Sequence, residues 1–279
     1  MQPLAHALIG ALQNQFQRDW PAAQRSFRRA LALAPDSAFV RSSWGCHLSM
    51  RGLLDEAEAG LLLARRLDPQ YVNTRNHMIN LRISQGRLAE AAAEWAGLAD
   101  LAPGSLSVEG LGALLAIERG DAAAAVAHYR RAGELMPENP ACQAHLAGAL
   151  ALTGDMAQAQ TLLEAMPLRF PGRVTSPYVM SIVALRLGDA AKALTLLRSA
   201  LDDGDPSARW APSDPSLAAL RGEPRFTAMC AELRFKRGRK PLIAAPAAPA
   251  DAAMPAAPTR PRATAGHSPA PAPPPTFHK

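Results

Sequence analysis

The chain of 279 residues is 48% hydrophobic but only 5% aromatic, with alanine supplying much of the apolar share; it cannot fill a thick core with large side chains and suits closely packed helices. Its net charge of +6 is carried almost wholly by arginine, the lysines being Lys192, Lys236, Lys240 and Lys279, a bias that follows GC-rich codons more readily than phosphate recognition. Three scattered cysteines, Cys46, Cys142 and Cys230, exclude a disulfide framework and a CxxC zinc site.

The N-terminal stretch carries no Lys or Arg before Arg18, and Gln13, Asn14 and Gln15 break its apolar run. That is not a secretory signal pattern, and no apolar run approaches the roughly 18 residues that a membrane span needs. With cysteines unpaired, a reducing, cytoplasmic setting is expected.

Along the chain, one pattern recurs. Pro35, Pro69, Pro103, Pro137 and Pro171 stand 34 residues apart, as do Gly52, Gly86, Gly120, Gly154 and Gly188. Ala23, Ala57, Ala91, Ala125, Ala159 and Ala193 keep the same interval. Four residues after each comes a bulky residue: Phe27, Leu61, Trp95, Tyr129, Leu163 or Leu197. Three further on stand Ala30, Ala64, Leu98, Ala132, Met166 and Ala200. A fixed period of this length signals stacked helical units. The glycines predict left-handed ends of first helices, and Asp121, Asp155 and Asp189 predict caps for the second helices. The alanine, the bulky residue and the third position share one face of each second helix, so small residues admit a neighbour and the bulky one fills the space beside them. Each proline stops that helix.

The period, the small–bulky–small face of Ala57–Leu61–Ala64 or Ala125–Tyr129–Ala132 and the terminal proline resemble the tetratricopeptide repeat family of bacterial type. Trp44-Gly45 resembles the family's large–small pair on the first helix; the other first helices lack the early aromatic. The resemblance implies an all-α fold, a right-handed superhelix of six helix-turn-helix units spanning 4–37, 38–71, 72–105, 106–139, 140–173 and 174–207. Asp205-Pro206 then departs from the phase. Asp214-Pro215 and Glu223-Pro224 read as helix starts, and Leu217, Leu220, Phe226, Met229 and Leu233 as short apolar faces covering the last unit, so 208–240 is expected to cap the array. From Pro241, Pro and Ala predominate, and a disordered tail over 241–279 is expected.

No catalytic constellation is legible. There is no phosphate-binding GxxxxGK[ST] loop and no HExxH, Gly110 and Gly112 lack the third glycine of a dinucleotide loop, and Ser42-Ser43 with His47 is a commonplace helical spacing. The expectation is a protein that is not an enzyme and needs no cofactor or metal. It is instead a scaffold or adaptor in a bacterial cytoplasm, binding a peptide or amphipathic helix of another protein in a concave groove lined by first helices.

The candidate residues for that groove are Asn73, Asn76 and Asn80, which share one helix face, with Arg75 and His77 beside them and Leu111, Leu114 and Tyr178 on later first helices. Asn can donate to and accept from an extended backbone; the other reading of the triad is solvated helix surface. Leu8, Leu12, Leu111, Leu114, Ile117, Ile182 and Leu185 offer apolar contact there or pack between first helices. The family's carboxylate clamp is not matched, because the corresponding faces carry Ser42, Gly110, Ala144 and Tyr178. An alternative function is a tether: Arg234, Lys236, Arg237, Arg239 and Lys240 form a basic junction that fits an anionic membrane or nucleic acid, or else a helix C-terminus and solvated linker.

Overall fold

The computed structural model describes residues 2–14 and 20–233; the basic junction and the Pro/Ala-rich tail lie outside them. The described residues are all-helical. Twelve α-helices form six antiparallel pairs: α1 (Pro3–Leu12) with α2 (Trp20–Leu33), α3 (Ala38–Met50) with α4 (Leu54–Leu67), α5 (Val72–Ser84) with α6 (Leu88–Leu101), α7 (Leu106–Glu118) with α8 (Ala122–Leu135), α9 (Pro140–Leu152) with α10 (Met156–Arg169), and α11 (Pro177–Arg186) with α12 (Ala190–Asp202). Two 3-10 turns, Pro206–Trp210 and Pro215–Leu220, and helix α13 (Pro224–Leu233) complete the described chain.

The punctuation follows the local chemistry. Gly52, Gly86, Gly120, Gly154 and Gly188 all have φ between 72° and 86°, the left-handed conformation in which a Cβ is penalised. Asp121, Asp155 and Asp189 accept hydrogen bonds from the N–H groups of Ala124, Gln158 and Lys192 at 2.8–3.0 Å, capping α8, α10 and α12. First helices are capped by Ser37, Ser105, Asn139 and Ser176.

The phased alanines decide how closely helices approach. Ala23, Ala57, Ala91, Ala125, Ala159 and Ala193 are all fully buried, and Phe27, Leu61 and Leu197 beside them are at most 1% exposed. At the α3–α4 crossing, a Cβ on Gly45 would lie 2.7 Å from Leu61 Cγ, so only glycine fits there. Polar groups stitch neighbouring pairs together. Glu94 on α6 takes Arg65 of α4 and, at 3.2 Å, Arg75 of α5. Glu58 on α4 takes Arg82 and Arg87 at 2.6 and 2.8 Å. Asn14 Oδ1 accepts from His47 Nδ1 at 3.0 Å, and that ring stacks on Trp44.

The fifth pair is the least closely packed. Pro167 sits inside α10, only Ala159 of that helix is buried, and a cleft of about 250 Å³ separates it from α11 and α12. Against the last pair, Leu217, Leu220, Phe226 and Met229 join Leu194, Leu197 and Leu201 in one buried cluster.

Candidate functional site

Four successive first helices border one cavity of about 490 Å³. Asn80, Ile83 and Ser84 come from α5, Gly110 and Leu114 from α7, Cys142 and His145 from α9, and Tyr178, Ile182 and Arg186 from α11. Tyr129 and Ala132 of α8 form its floor. A face that wraps a single cavity with four parallel elements is concave; its residues recur at i, i+4 and i+8 on α7 (Leu106, Gly110, Leu114) and α11 (Tyr178, Ile182, Arg186), and at i, i+3 or i+4 on α5 and α9, one side of each helix.

The opposite wall is the cap. Trp210, Ser213, Asp214 and Ser216 close the cavity from the C-terminal side, so the segment that seals the last pair also crosses the inner face. Three contacts hold it there. Asp205 accepts from the Ser176 hydroxyl and from Tyr178 N–H at 3.3 Å. Asp214 accepts from the Tyr178 hydroxyl at 2.5 Å and from Ser216 N–H at 2.8 Å. Arg209, which lies over the Trp210 ring, donates through Nε to Met50 Sδ at 2.9 Å. Met50 ends α3, so the solenoid curves far enough for its cap to meet the second helix pair.

Burial sets the protonation of this interior. Tyr178 is held well above the usual phenol range by burial and then by the Asp214 charge. His145 falls from 6.5 to about 4 through burial and the nearby Arg186, so its ring is neutral. That ring lies against Tyr129 at 5.2 Å and 8°, and its Nδ1 is buried with no hydrogen-bond partner. Arg186 Nη1 is likewise buried and unpartnered, while the same guanidinium reaches the Tyr129 hydroxyl.

Of the residues singled out from the sequence, Asn80, Gly110, Leu114, Tyr178 and Ile182 line the cavity. Asn73 is exposed and donates to the Tyr71 hydroxyl at 3.1 Å; Asn76 donates to Ser107 Oγ at 3.4 Å, and Asn80 to the Asn76 carbonyl at 2.9 Å. Arg75 turns toward α6, over Gly97 and onto Glu94. His77 is lowered to about 4 by burial, and Leu111 packs with Leu114 against the α5–α6 core. Arg234, Lys236, Arg237, Arg239 and Lys240 lie outside the described residues. Ser42 Oγ is buried without a partner while His47 engages Asn14, so this pair is no nucleophile–base couple. Among the described residues, no group of three or more His, Cys, Asp or Glu is placed to hold a metal, and no helix is long and apolar enough to cross a membrane.

The sequence reading missed His145, Arg186, Trp210 and Asp214. Their signal was weak: Arg186 sits two residues before the phased Gly188, His145 belongs to none of the phased series, and nothing local says that the 206–216 segment folds inward.

A family model described as tetratricopeptide repeat matches residues 116–179. The fold is similar to that of a tetratricopeptide repeat protein from Parabacteroides merdae, at TM-score 0.59 and 14% identity over 75% of this chain and 82% of that one. It is similar also to PilF of Pseudomonas aeruginosa, at TM-score 0.53 and 16% identity over 79% and 97% of the two chains. PilW, a widely conserved type IV pilus biogenesis factor, aligns at TM-score 0.55 and 17% identity over 78% and 97%. No curated protein matches the chain. At these identities the likeness is one of fold.

Proposed function

We propose that the chain, whose fold is that of tetratricopeptide repeat proteins, is a non-catalytic scaffold or adaptor that holds a peptide or helical segment of a partner protein on its concave face. The observation that carries this reading is the continuity of that face: the exposed Asn73 and the half-buried Asn76 and Asn80 lead along α5 to a cavity shared by four first helices. Amide side chains hold a backbone without reading its side chains, and the apolar wall beyond them, Ile83, Leu114 and Ile182, supplies contact area that three amides alone lack. At about 0.5–1.5 kcal/mol net per hydrogen bond, the amides account for only a few kcal/mol, below the roughly 8 kcal/mol of micromolar affinity.

Capture of partners from the native cytoplasm by wild type and by Asn76→Ala/Asn80→Ala, at low and high salt, tests the reading. A partner retained at high salt by wild type and lost by the double variant supports it. A partner held equally by both and released by salt sinks it and moves binding to the basic junction, where counterion release makes affinity steeply salt-dependent.

A further inference from the structure

The cavity under the cap holds a polar corner that partner binding along α5 and the apolar wall does not use. Its volume of about 490 Å³ falls within the range of small-molecule sites. Ile83, Leu114, Ile182 and Trp210 make its walls largely apolar. Within them sit two buried polar atoms with nothing to bond: Arg186 Nη1 and His145 Nδ1. They belong to one corner. His145 and Gly148 are one turn apart on α9, and a Cβ on Gly148 would lie 3.1 Å from Arg186 Cδ and 3.3 Å from its Nη1. The glycine therefore lets the guanidinium lie along α9 beside the imidazole.

The charges around that corner are unevenly committed. Asp214 is occupied by the Tyr178 hydroxyl and Ser216 N–H. Glu118 and Arg221 are near enough to act electrostatically, and Glu118 is raised by burial and then by Asp214. No ion pair engages Arg186 among the described residues. A buried donor left unmade is expensive, and a planar guanidinium beside an imidazole is suited to an incoming carboxylate. The cap crosses the face, so a continuous polypeptide cannot enter this corner without displacing it, whereas a small molecule needs only the cavity mouth.

We propose that the cavity binds a small apolar carboxylic acid, its aromatic or branched body against Leu114, Ile182 and Trp210 and its carboxylate on the Arg186 guanidinium and the His145 ring, which turn toward the cavity to bring the buried Nη1 and Nδ1 to it. Gly110 provides the control. It lines the cavity, and a Cβ there meets nothing within 4 Å, so a side chain can leave the helix at this point and Gly110→Phe puts a ring into the cavity.

The test is calorimetric titration of the full chain with indole-3-acetate, benzoate and hexanoate, each against its neutral amide. At least one acid is expected to bind saturably and at least ten-fold tighter than its amide. Arg186→Gln should reduce that acid to the level of its amide, and Gly110→Phe should abolish both. Absence of saturable binding of every acid up to about 10 mM, a range that covers even millimolar dissociation constants, overturns the proposal. So does equal binding of acid and amide by wild type, which requires no variant to fold, or undiminished binding by Gly110→Phe. Partner capture is read separately, so failure here leaves the scaffold reading standing.

Discussion

The same substitution, glycine to alanine, should change stability in opposite directions at two first helices. Gly45 on α3 and Gly110 on α7 are both helical, so each gains up to about 1 kcal/mol of helix propensity from a Cβ. Their surroundings differ. At Gly45 the new methyl would lie 2.7 and 2.8 Å from Leu61 Cγ and Cδ2 and 3.3 Å from the Ala57 carbonyl, and Leu61 is fully buried with no space to retreat. Overpacking of this kind typically costs about 1–3 kcal/mol, so the net expectation is a loss of about 1 kcal/mol. At Gly110 nothing lies within 4 Å, and the propensity term stands alone as a gain of about 0.5–1 kcal/mol. For a chain of this size 1 kcal/mol moves the melting midpoint by roughly 2–4 °C. Thermal unfolding followed by circular dichroism should show Gly45→Ala melting lower and Gly110→Ala higher than wild type. Because repeat arrays are stabilised locally, hydrogen exchange should localise the loss to α3 and α4. Shifts of the same sign, or unchanged protection of α3 and α4 in Gly45→Ala, would refute the packing argument.

Further consequences are open to measurement. Tyr178→Phe removes the donor to Asp214 and should weaken the cap by about 1.5–3 kcal/mol, seen as faster amide exchange and proteolysis across residues 206–220 with the earlier pairs unaffected. Glu94→Ala leaves Arg65 and Arg75 facing each other, with an expected loss of about 1.5–3 kcal/mol and a lower denaturation midpoint that Glu94→Asp partly restores. His47, His77 and His145 are held neutral chiefly by burial, lowered from 6.5 to about 3, 4 and 4. The unfolded chain takes up those protons first, so this contribution is whole above about pH 6.5 and declines as pH falls from there toward 4; a melting midpoint flat between pH 7.5 and 5 would contradict it, on the same linkage.

How much was legible depended on whether the controlling forces were local. The glycines at first-helix ends, the capping aspartates and the helix-stopping prolines act within a turn of their own positions, so the 34-residue phase exposes them directly. The buried alanine face is nearly as local, since it requires only that an identical unit be stacked beside it. Arg75 shows where this stops. Its position on α5 is periodic, but its long side chain has several reachable partners, and a glycine at position 97 with Glu94 below it draws it to α6.

The sequence alone therefore determined the helix pairs, their phase and the apolar seal on the last one, because backbone geometry and side-chain size recur at fixed spacing. Only the tertiary structure decided what the inner face became. Small rotations between successive pairs accumulate until Arg209 meets Met50, 159 positions earlier, and the cap that closes the array also roofs its groove. No short stretch of residues encodes that sum, and the pairing of Tyr178 with Asp214 and the unpartnered Arg186 and His145 exist only once it has been made.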